Sequence, residues 1–278
     1  MSNVLSKFMI EGKVCIITGG GGLMGRSHGQ AVLSGGGIAV LIDISEEKLN
    51  AEKEYMENLY GSSRIETYKA DITNRDCLEE IKDDLVKKYG HIDILINNAA
   101  NNPKMESKTD NMDAIGFADF PIELWKEDIS VGLTGAFLCT QVFGQQMELQ
   151  KSGVILNISS DLGIIAPDQR IYQKNDLPKN KQTIKPATYS VIKHGLIGLT
   201  KYTATYWAES GIRCNVICPA GIENGQDPEF IRKLTYLVPM GRMASKDEYQ
   251  GTVLYMISEA SAYMTGATVI IDGGRTCW

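Results

Sequence analysis

Lys13-Val14-Cys15-Ile16-Ile17-Thr18-Gly19-Gly20-Gly21-Gly22-Leu23-Met24-Gly25 is the stretch on which the fold turns. An apolar β-branched run, Lys13–Thr18, reads as a buried strand; a glycine-rich turn ends it, and a helical pattern, Leu23–Ser34, follows. A strand that passes into a helix through glycines begins a βαβ unit. The rest of the chain repeats the alternation. Ile38–Ile42, Ile65–Lys69, Asp93–Ile96, Val154–Ile158, Arg213–Ile217 and Thr268–Ile271 read as strands. Between them lie a helix that Ser45 caps, a helix Asn74–Tyr89 with Ile81, Leu85 and Val86 on one face, and a long helix from about Ile122 to Gln150. A further helix carries Tyr189 and continues to about Glu209. Lys48, three residues after Ser45, leaves that cap short of a full capping box. The pattern predicts an α/β, doubly wound parallel sheet of about seven strands, a Rossmann fold, in a single domain over 1–278. Two segments are insertions in that frame: Asn101–Phe120 and Ala166–Pro186.

Composition bounds the function. With 278 residues, 43% hydrophobic and 22% charged, the chain is ordinary globular material with room for a large core. A net charge of -6 argues against a nucleic-acid partner, which calls for a basic face. No apolar stretch approaches the roughly 20 residues a membrane span needs, and Met1–Lys13 lacks a signal peptide's apolar centre, so a cytoplasmic location is expected. The six cysteines show no Cys-x-x-Cys spacing and read as buried, reduced thiols; three scattered histidines give no reason to expect a metal.

The glycine turn offers backbone N–H groups and the positive end of a helix to a diphosphate. Gly19, Gly22 and Gly25 keep the spacing that lets a backbone approach closely, and Leu23 and Met24 open the helix. A plain strand–helix connector is the rival reading of such a turn, and its context disfavours it. Asp43 closes the second strand, where a carboxylate accepts from ribose hydroxyls and repels a 2′-phosphate. NAD is therefore expected over NADP; the alternative for Asp43 is a helix-entry cap. Asp71 and Ile72 fall where an adenine ring would be flanked, or else in a simple turn. Asn97-Asn98-Ala99-Ala100 brings small residues to the end of the fourth strand, with Asn98 beside the cofactor.

Tyr189 and Lys193 lie four apart on a helix and project from one face. An ammonium near a phenol favours the phenolate, and of the 12 tyrosines Tyr189 alone has lysine at that offset. Ser159-Ser160 ends the strand Val154–Ile158, where side chains face the ligand crevice. Arg170, Lys174, Lys179, Lys181 and Lys185 outweigh Asp176 in the second insertion, so an anionic small-molecule substrate is expected, a solvated surface loop being the alternative. The two insertions together are expected to form a lid.

In the order of these motifs, with Cys218-Pro219-Ala220-Gly221 and Asp272-Gly273-Gly274, the chain resembles the short-chain dehydrogenase/reductase family over nearly its whole length. The resemblance implies hydride transfer between NAD(H) and a secondary alcohol or ketone. It implies Tyr189 as proton donor and acceptor, Lys193 on the nicotinamide ribose, Ser160 orienting the carbonyl, Ile222 reaching the carboxamide through its backbone, and a homotetramer or homodimer. More narrowly, Asn98–Lys104, Val131–Phe137 and Ser160–Arg170 resemble oxidoreductases of bacterial flagellin-modification and nonulosonate (legionaminic acid-type) gene clusters, which implies a sugar or sugar phosphate. Two departures stand out. Gly132 occupies the position of the family's catalytic asparagine. The glycine spacing, with Leu23 at a customary glycine, fits the family's extended branch as well as its standard one, yet the chain ends just after Asp272-Gly273-Gly274 without that branch's substrate domain. The competing functional readings are an NAD-binding regulatory or assembly subunit with impaired catalysis, and an epimerase using transient oxidation.

Overall fold

The computed structural model describes residues 3–101, 116–174, 177–178 and 182–278. Seven strands form one parallel sheet: β1 (Val14–Thr18), β2 (Ile38–Asp43), β3 (Ile65–Lys69), β4 (Ile94–Asn97), β5 (Gly153–Ile158), β6 (Ile212–Pro219) and β7 (Thr268–Ile271). Their order is β3-β2-β1-β4-β5-β6-β7. The winding reverses between β1 and β4, and a ligand crevice opens beyond the carboxyl ends of the strands at such a point.

Side chains alternate between two cores, as the two-residue period of a strand requires. Val14, Ile16, Val40 and Ile42 pack on one face under α3 (Arg75–Tyr89), α5 (Ala136–Gln150) and α6 (Ala187–Tyr206). Cys15, Ile17, Ala39 and Leu41 pack on the other under α1 (Leu23–Ser34), α2 (Glu46–Tyr60) and α8 (Gln250–Ile257). Cys15, Cys139, Cys214 and Cys218 are buried thiols within these layers.

Polar groups fix the layers where they meet the crevice. Asn97 Nδ2 donates to Asn157 Oδ1 at 2.9 Å and to Thr140 Oγ1 at 3.0 Å, and Asn157 Nδ2 donates to Thr200 Oγ1 at 2.8 Å. This buried chain of amides and hydroxyls ties β4 and β5 to α5 and α6.

Helix ends follow local chemistry. Asn74 caps α3 by accepting from the N–H groups of Asp76 and Cys77, and Gly90 closes it in the left-handed region. Ser45 accepts from the Lys48 N–H at 3.4 Å, as the sequence implied.

Several boundaries differ from expectation. β4 begins one residue later than predicted because Asp93 turns its carboxylate onto the Val14 N–H and Lys13 Nζ, each at 2.9 Å. The long helix expected over Ile122–Gln150 divides into α4 (Ile122–Ile129), a π-helical turn Ser130–Gly135, and α5. Glycines explain the turn: a Cβ at Gly132 would lie 2.8 Å from Ile192 Cγ2, and one at Gly135 would lie 2.6 Å from Ile72 Cδ1, so neighbours press against the bare backbone. The tyrosine helix stops at Tyr206, and a 3₁₀ turn Ala208–Ser210 leads into Gly211 at φ 72. Two helices, α7 (Pro228–Tyr236) and α8, occupy segments to which the sequence pattern assigned none. Most of the first insertion, together with Asp176, Lys179 and Lys181 of the second, lies outside the described residues, and the expected lid with them. Among the described residues no helix is long and apolar enough to cross a membrane.

Candidate active site

The glycine turn sits at the carboxyl end of β1, against the end of β4. Gly19 has φ 65, a conformation costly for other residues. A side chain on Gly25 would collide with the carbonyl oxygen of Gly19 and the backbone of Gly20, so the turn closes only because position 25 is bare. Asn98 Nδ2 donates to the Thr18 and Gly19 carbonyls at 2.9 and 3.2 Å, and Thr18 Oγ1 accepts from the Asn98 and Ala99 N–H groups. The turn is thereby held open before any ligand arrives. Gly22 stands at the N-cap of α1, where no side chain caps the helix. The first-turn N–H groups need acceptors, and a diphosphate supplies them. A nicotinamide dinucleotide therefore fits this cradle.

A cleft of about 1190 Å³ runs from that cradle across the sheet. Gly19, Gly22, Leu23, Met24, Asp43, Asp71, Ile72 and Asn98 line one half, and Ser160, Tyr189, Lys193 and Ile222 line the other. Gly25 lies behind the turn and acts by closing it. Asp43 does double work: Oδ2 accepts from the Gly21 N–H and Oδ1 from the Ser45 N–H, each at 3.0 Å. It is both a helix-entry acceptor and a cleft-lining carboxylate. Lys48, one turn into α2, lines the cleft beside it. Asp71 Oδ1 takes the Thr73 N–H and hydroxyl at 2.8 and 2.7 Å, so its carboxylate serves a turn while the residue still borders the cleft. Ile72 drives its side chain against Gly135. Ile222 forms an isolated parallel bridge with Ala244, which holds its backbone beside the cleft.

In the other half, Ser159 and Ser160 part company. Ser159 Oγ donates to the Lys193 carbonyl at 2.7 Å and fastens β5 to α6. Ser160 turns into the cleft, where its side chain and the Tyr189 hydroxyl are hydrogen-bonding neighbours. Lys193 Nζ donates to the Ile158 carbonyl at 2.8 Å and lies 5.6 Å from the Tyr189 ring centre. Lys185 Nζ stands closer, 3.8 Å above the same ring.

The electrostatics differ from the sequence argument. Burial pushes the Tyr189 phenol above its ordinary range; the Ser160 contact pulls it down, and the Asp161 carboxylate raises it again. The lysines yield instead. Burial, then the like charge of Lys185, brings Lys193 down to about 8. Burial brings Lys185 down to about 8 against the pull of Asp161 and Asp128. For the phenol, its own burial outweighs the Ser160 contact and sets the direction.

Three participants carried no readable signal. Lys185 precedes α6 and looked like one base among several in a loop. Asp161 follows Ser160, and Arg275 follows the Asp272-Gly273-Gly274 turn. Arg275 Nη1 meets Asp161 Oδ2 at 2.6 Å with both side chains buried. Residues so far apart in sequence give no local pattern. Of the other basic residues, Lys174 lines the cleft, whereas Arg170 is 83% exposed and clamped on Asp168.

Comparisons with known proteins agree with this geometry. Residues 13–172 match the model of the short chain dehydrogenase family, and residues 179–276 match that described as enoyl-(acyl carrier protein) reductase. An NADP-dependent mannitol dehydrogenase of Alternaria alternata is 32% identical, covering 96% of this chain and 93% of its own. A post-translational flagellin modification protein A of Campylobacter coli is 28% identical over 96% of this chain and 99% of its own, in line with the narrower resemblance. A short chain dehydrogenase of Leptospira borgpetersenii, solved with bound NAD+, superposes with a TM-score of 0.81 at 32% identity, covering 99% of this chain and 96% of that one. With a seven-stranded parallel sheet, a bare glycine cradle and a matched family model over more than half its length, the chain belongs to the short-chain dehydrogenase family of oxidoreductases that act on CH–OH groups.

Proposed function

We propose that the protein is an NAD-dependent dehydrogenase that interconverts a secondary alcohol and a ketone on a sugar or sugar phosphate. One observation carries this reading: Ser160, Tyr189 and Lys193 converge in the cleft that begins at the glycine cradle. When bound, the nicotinamide takes up or returns the hydride at the substrate carbon. Tyr189 Oη takes the hydroxyl proton in oxidation and gives it back in reduction. Ser160 holds the reacting oxygen beside that phenol. Lys193, anchored on the Ile158 carbonyl, supplies positive charge behind it and would hold the cofactor's ribose.

Asp43 supports NAD over NADP, since a carboxylate in the cleft repels a 2′-phosphate. Lys48 beside it is the feature that would favour NADP, and relatives of both kinds exist, one named NADP-dependent and one solved with NAD+. Lys174 and Lys185 in the substrate half support an anionic substrate. Exposed Phe137, Val191, Tyr202 and Tyr206 on α5 and α6 support a homodimer or homotetramer, which sedimentation would measure. Gly132 favours the second reading, a cofactor-binding subunit with impaired catalysis.

The deciding experiment is a panel of polyols, sugars and their phosphates with NAD+ and NADP+. NADH formation that Tyr189→Phe abolishes is expected, with phosphorylated substrates preferred. Tight NADH binding without turnover on any substrate would favour the impaired subunit. NAD retained through purification, with no net NADH, would favour an epimerase.

A further inference from the structure

We propose that Lys185 is a specificity residue that receives a carboxylate of the substrate, and that the substrate is accordingly a polyhydroxy acid that reacts at the carbon next to its carboxylate or at the one beyond. The inference rests on the dehydrogenase reading and narrows its anionic substrate to one chemical class. Its test includes a readout that needs no turnover.

Lys185 Nζ stands 3.8 Å above the centre of the Tyr189 ring, and the residue borders the cleft. One side chain pins its backbone at two points: the Lys185 N–H donates to Gln169 Oε1 at 2.8 Å, and Gln169 Nε2 donates to the Lys185 carbonyl at 3.1 Å. Pro186 follows and α6 begins at Ala187, so a short, stiff connection carries both the lysine and the phenol. The phenol's oxygen ends the ring over which this ammonium stands. A substrate oxygen bonded to it lies about 2.7 Å beyond, and a carboxylate oxygen on the ammonium lies about 2.8 Å from Nζ. One ligand that meets both has its two groups a few ångströms apart, the spacing of a 2- or 3-hydroxy acid. A phosphate at the far end of a sugar chain overshoots it.

The donors around the site favour a singly charged group over a phosphate, which gathers several donors at once. Arg275 is committed to Asp161 at 2.6 Å, Lys193 to the Ile158 carbonyl at 2.8 Å, and Lys233 to Glu229 at 2.9 Å and the Gln173 carbonyl at 2.5 Å. A dianion would also face the buried Asp161 carboxylate, and that repulsion doubles with the second charge. Burial brings the Lys185 pKa down to about 8 against the pull of Asp161 and Asp128, so an arriving carboxylate meets an ammonium whose charged form it stabilises. Tyr172 and Phe230, their ring centres 5.5 Å apart, border the same cleft and pack on buried Ile171, Leu234 and Met243. They give the C–H side of the carbon chain an apolar wall. Oxidation leaves the carboxylate unchanged: a hydride passes from the carbinol carbon to NAD+, the hydroxyl proton passes to Tyr189, and a ketone remains.

The test titrates the NADH-loaded protein, in which an alcohol binds without reacting, and reads the fluorescence of the bound NADH. The probes are D-gluconate, D-galactonate and D-mannonate, the matching alditols, and glucitol 6-phosphate. At least one aldonate should bind about 30-fold more tightly than its alditol, and Lys185→Met should erase most of that preference by weakening the aldonate. Lys185→Arg keeps the positive charge and should bring the aldonate back to within about fivefold of the wild type. NADH affinity reports that each variant is folded; should Lys185→Met fail to hold NADH, Lys185→Gln serves as the uncharged variant. Where the wild type oxidises the aldonate, Lys185→Met should lower kcat/KM for it about tenfold more than for the alditol. Aldonates that bind no more tightly than alditols would overturn the proposal, as would a preference that survives in the uncharged variant, or glucitol 6-phosphate bound more tightly than every aldonate. A preference that depends on Lys185, with no turnover of any substrate, would sink the dehydrogenase reading and leave the carboxylate site standing. Turnover of neutral polyols with no such preference would do the reverse.

Discussion

The two halves of the cleft are built from different materials. The cofactor half is a matter of backbone: bare glycines, a helix start without a side-chain cap, and amide and hydroxyl bonds from Asn98 and Thr18. The substrate half is a matter of charge: Lys185, Lys193, Asp161 and Arg275 are drawn into a poorly hydrated corner around Tyr189. The first half should tolerate little change in shape. The second should tolerate small changes of shape and little change in charge.

That contrast can be broken or sharpened, beginning with the largest effect. Tyr189→Phe removes one oxygen from the charged half; kcat should fall about 10³-fold while the NADH dissociation constant, read by fluorescence, stays within about twofold. A comparable loss of cofactor affinity would show that the halves are not separable.

Next comes His28, buried in the cofactor half on α1. Burial brings its pKa down to about 4, against the opposing pull of Asn98. An unfolded histidine titrates near ~6.5. Between those values the unfolded chain holds the extra proton, so stability rises with pH through this window and is lost as pH falls toward 4, by up to about 3 kcal/mol. Urea unfolding of His28→Gln from pH 4 to 7 should show that much less slope. An unchanged slope would place the acid sensitivity elsewhere.

Gly25→Ala puts a methyl group into the Gly19 carbonyl. NADH affinity should drop about 10²-fold, near 3 kcal/mol, with the pH profile of turnover unmoved. Asp43→Ala should have the smallest effect: about a tenfold loss for NAD+ and a gain for NADP+, read as the ratio of kcat/KM. If Lys48 already admits the 2′-phosphate, that ratio will scarcely move.

The same contrast explains what was legible in the sequence. The cofactor half follows from local order: an apolar run, a glycine spacing, then a helix at Leu23–Ser34 that the structure reproduces residue for residue. Gly19 and Gly25 act through short-range backbone geometry, and such geometry leaves a spacing behind, whereas the Asn98 and Thr18 bonds that brace the turn join two strands distant in sequence. Ser160, Tyr189 and Lys193 were found by offset and by position at a strand end. Lys185, Asp161 and Arg275 were not, because their significance lies in which low-dielectric corner the fold carries them to. The expected acidity of Tyr189 failed for that reason: proximity to a lysine is visible in a helix, and the desolvation of both partners is not. Asp43 and Asp71 show a subtler limit. Each was offered two roles, and each carboxylate serves a turn while also bordering the cleft.

The π-helical turn at Ser130–Gly135 has a mechanical consequence. Each residue advances an α-helix by about 100°, so a wider turn works as a phase shifter between α4 and α5. Glu127, Ser130 and Val131 border the cleft with the turn in this setting. Deleting one residue there would rewind the rod into a single regular helix and swing that trio around its axis. Such a deletion would re-aim the wall of the chamber with no substitution in it, which makes this turn a place where a lineage could change what it accepts by altering length alone.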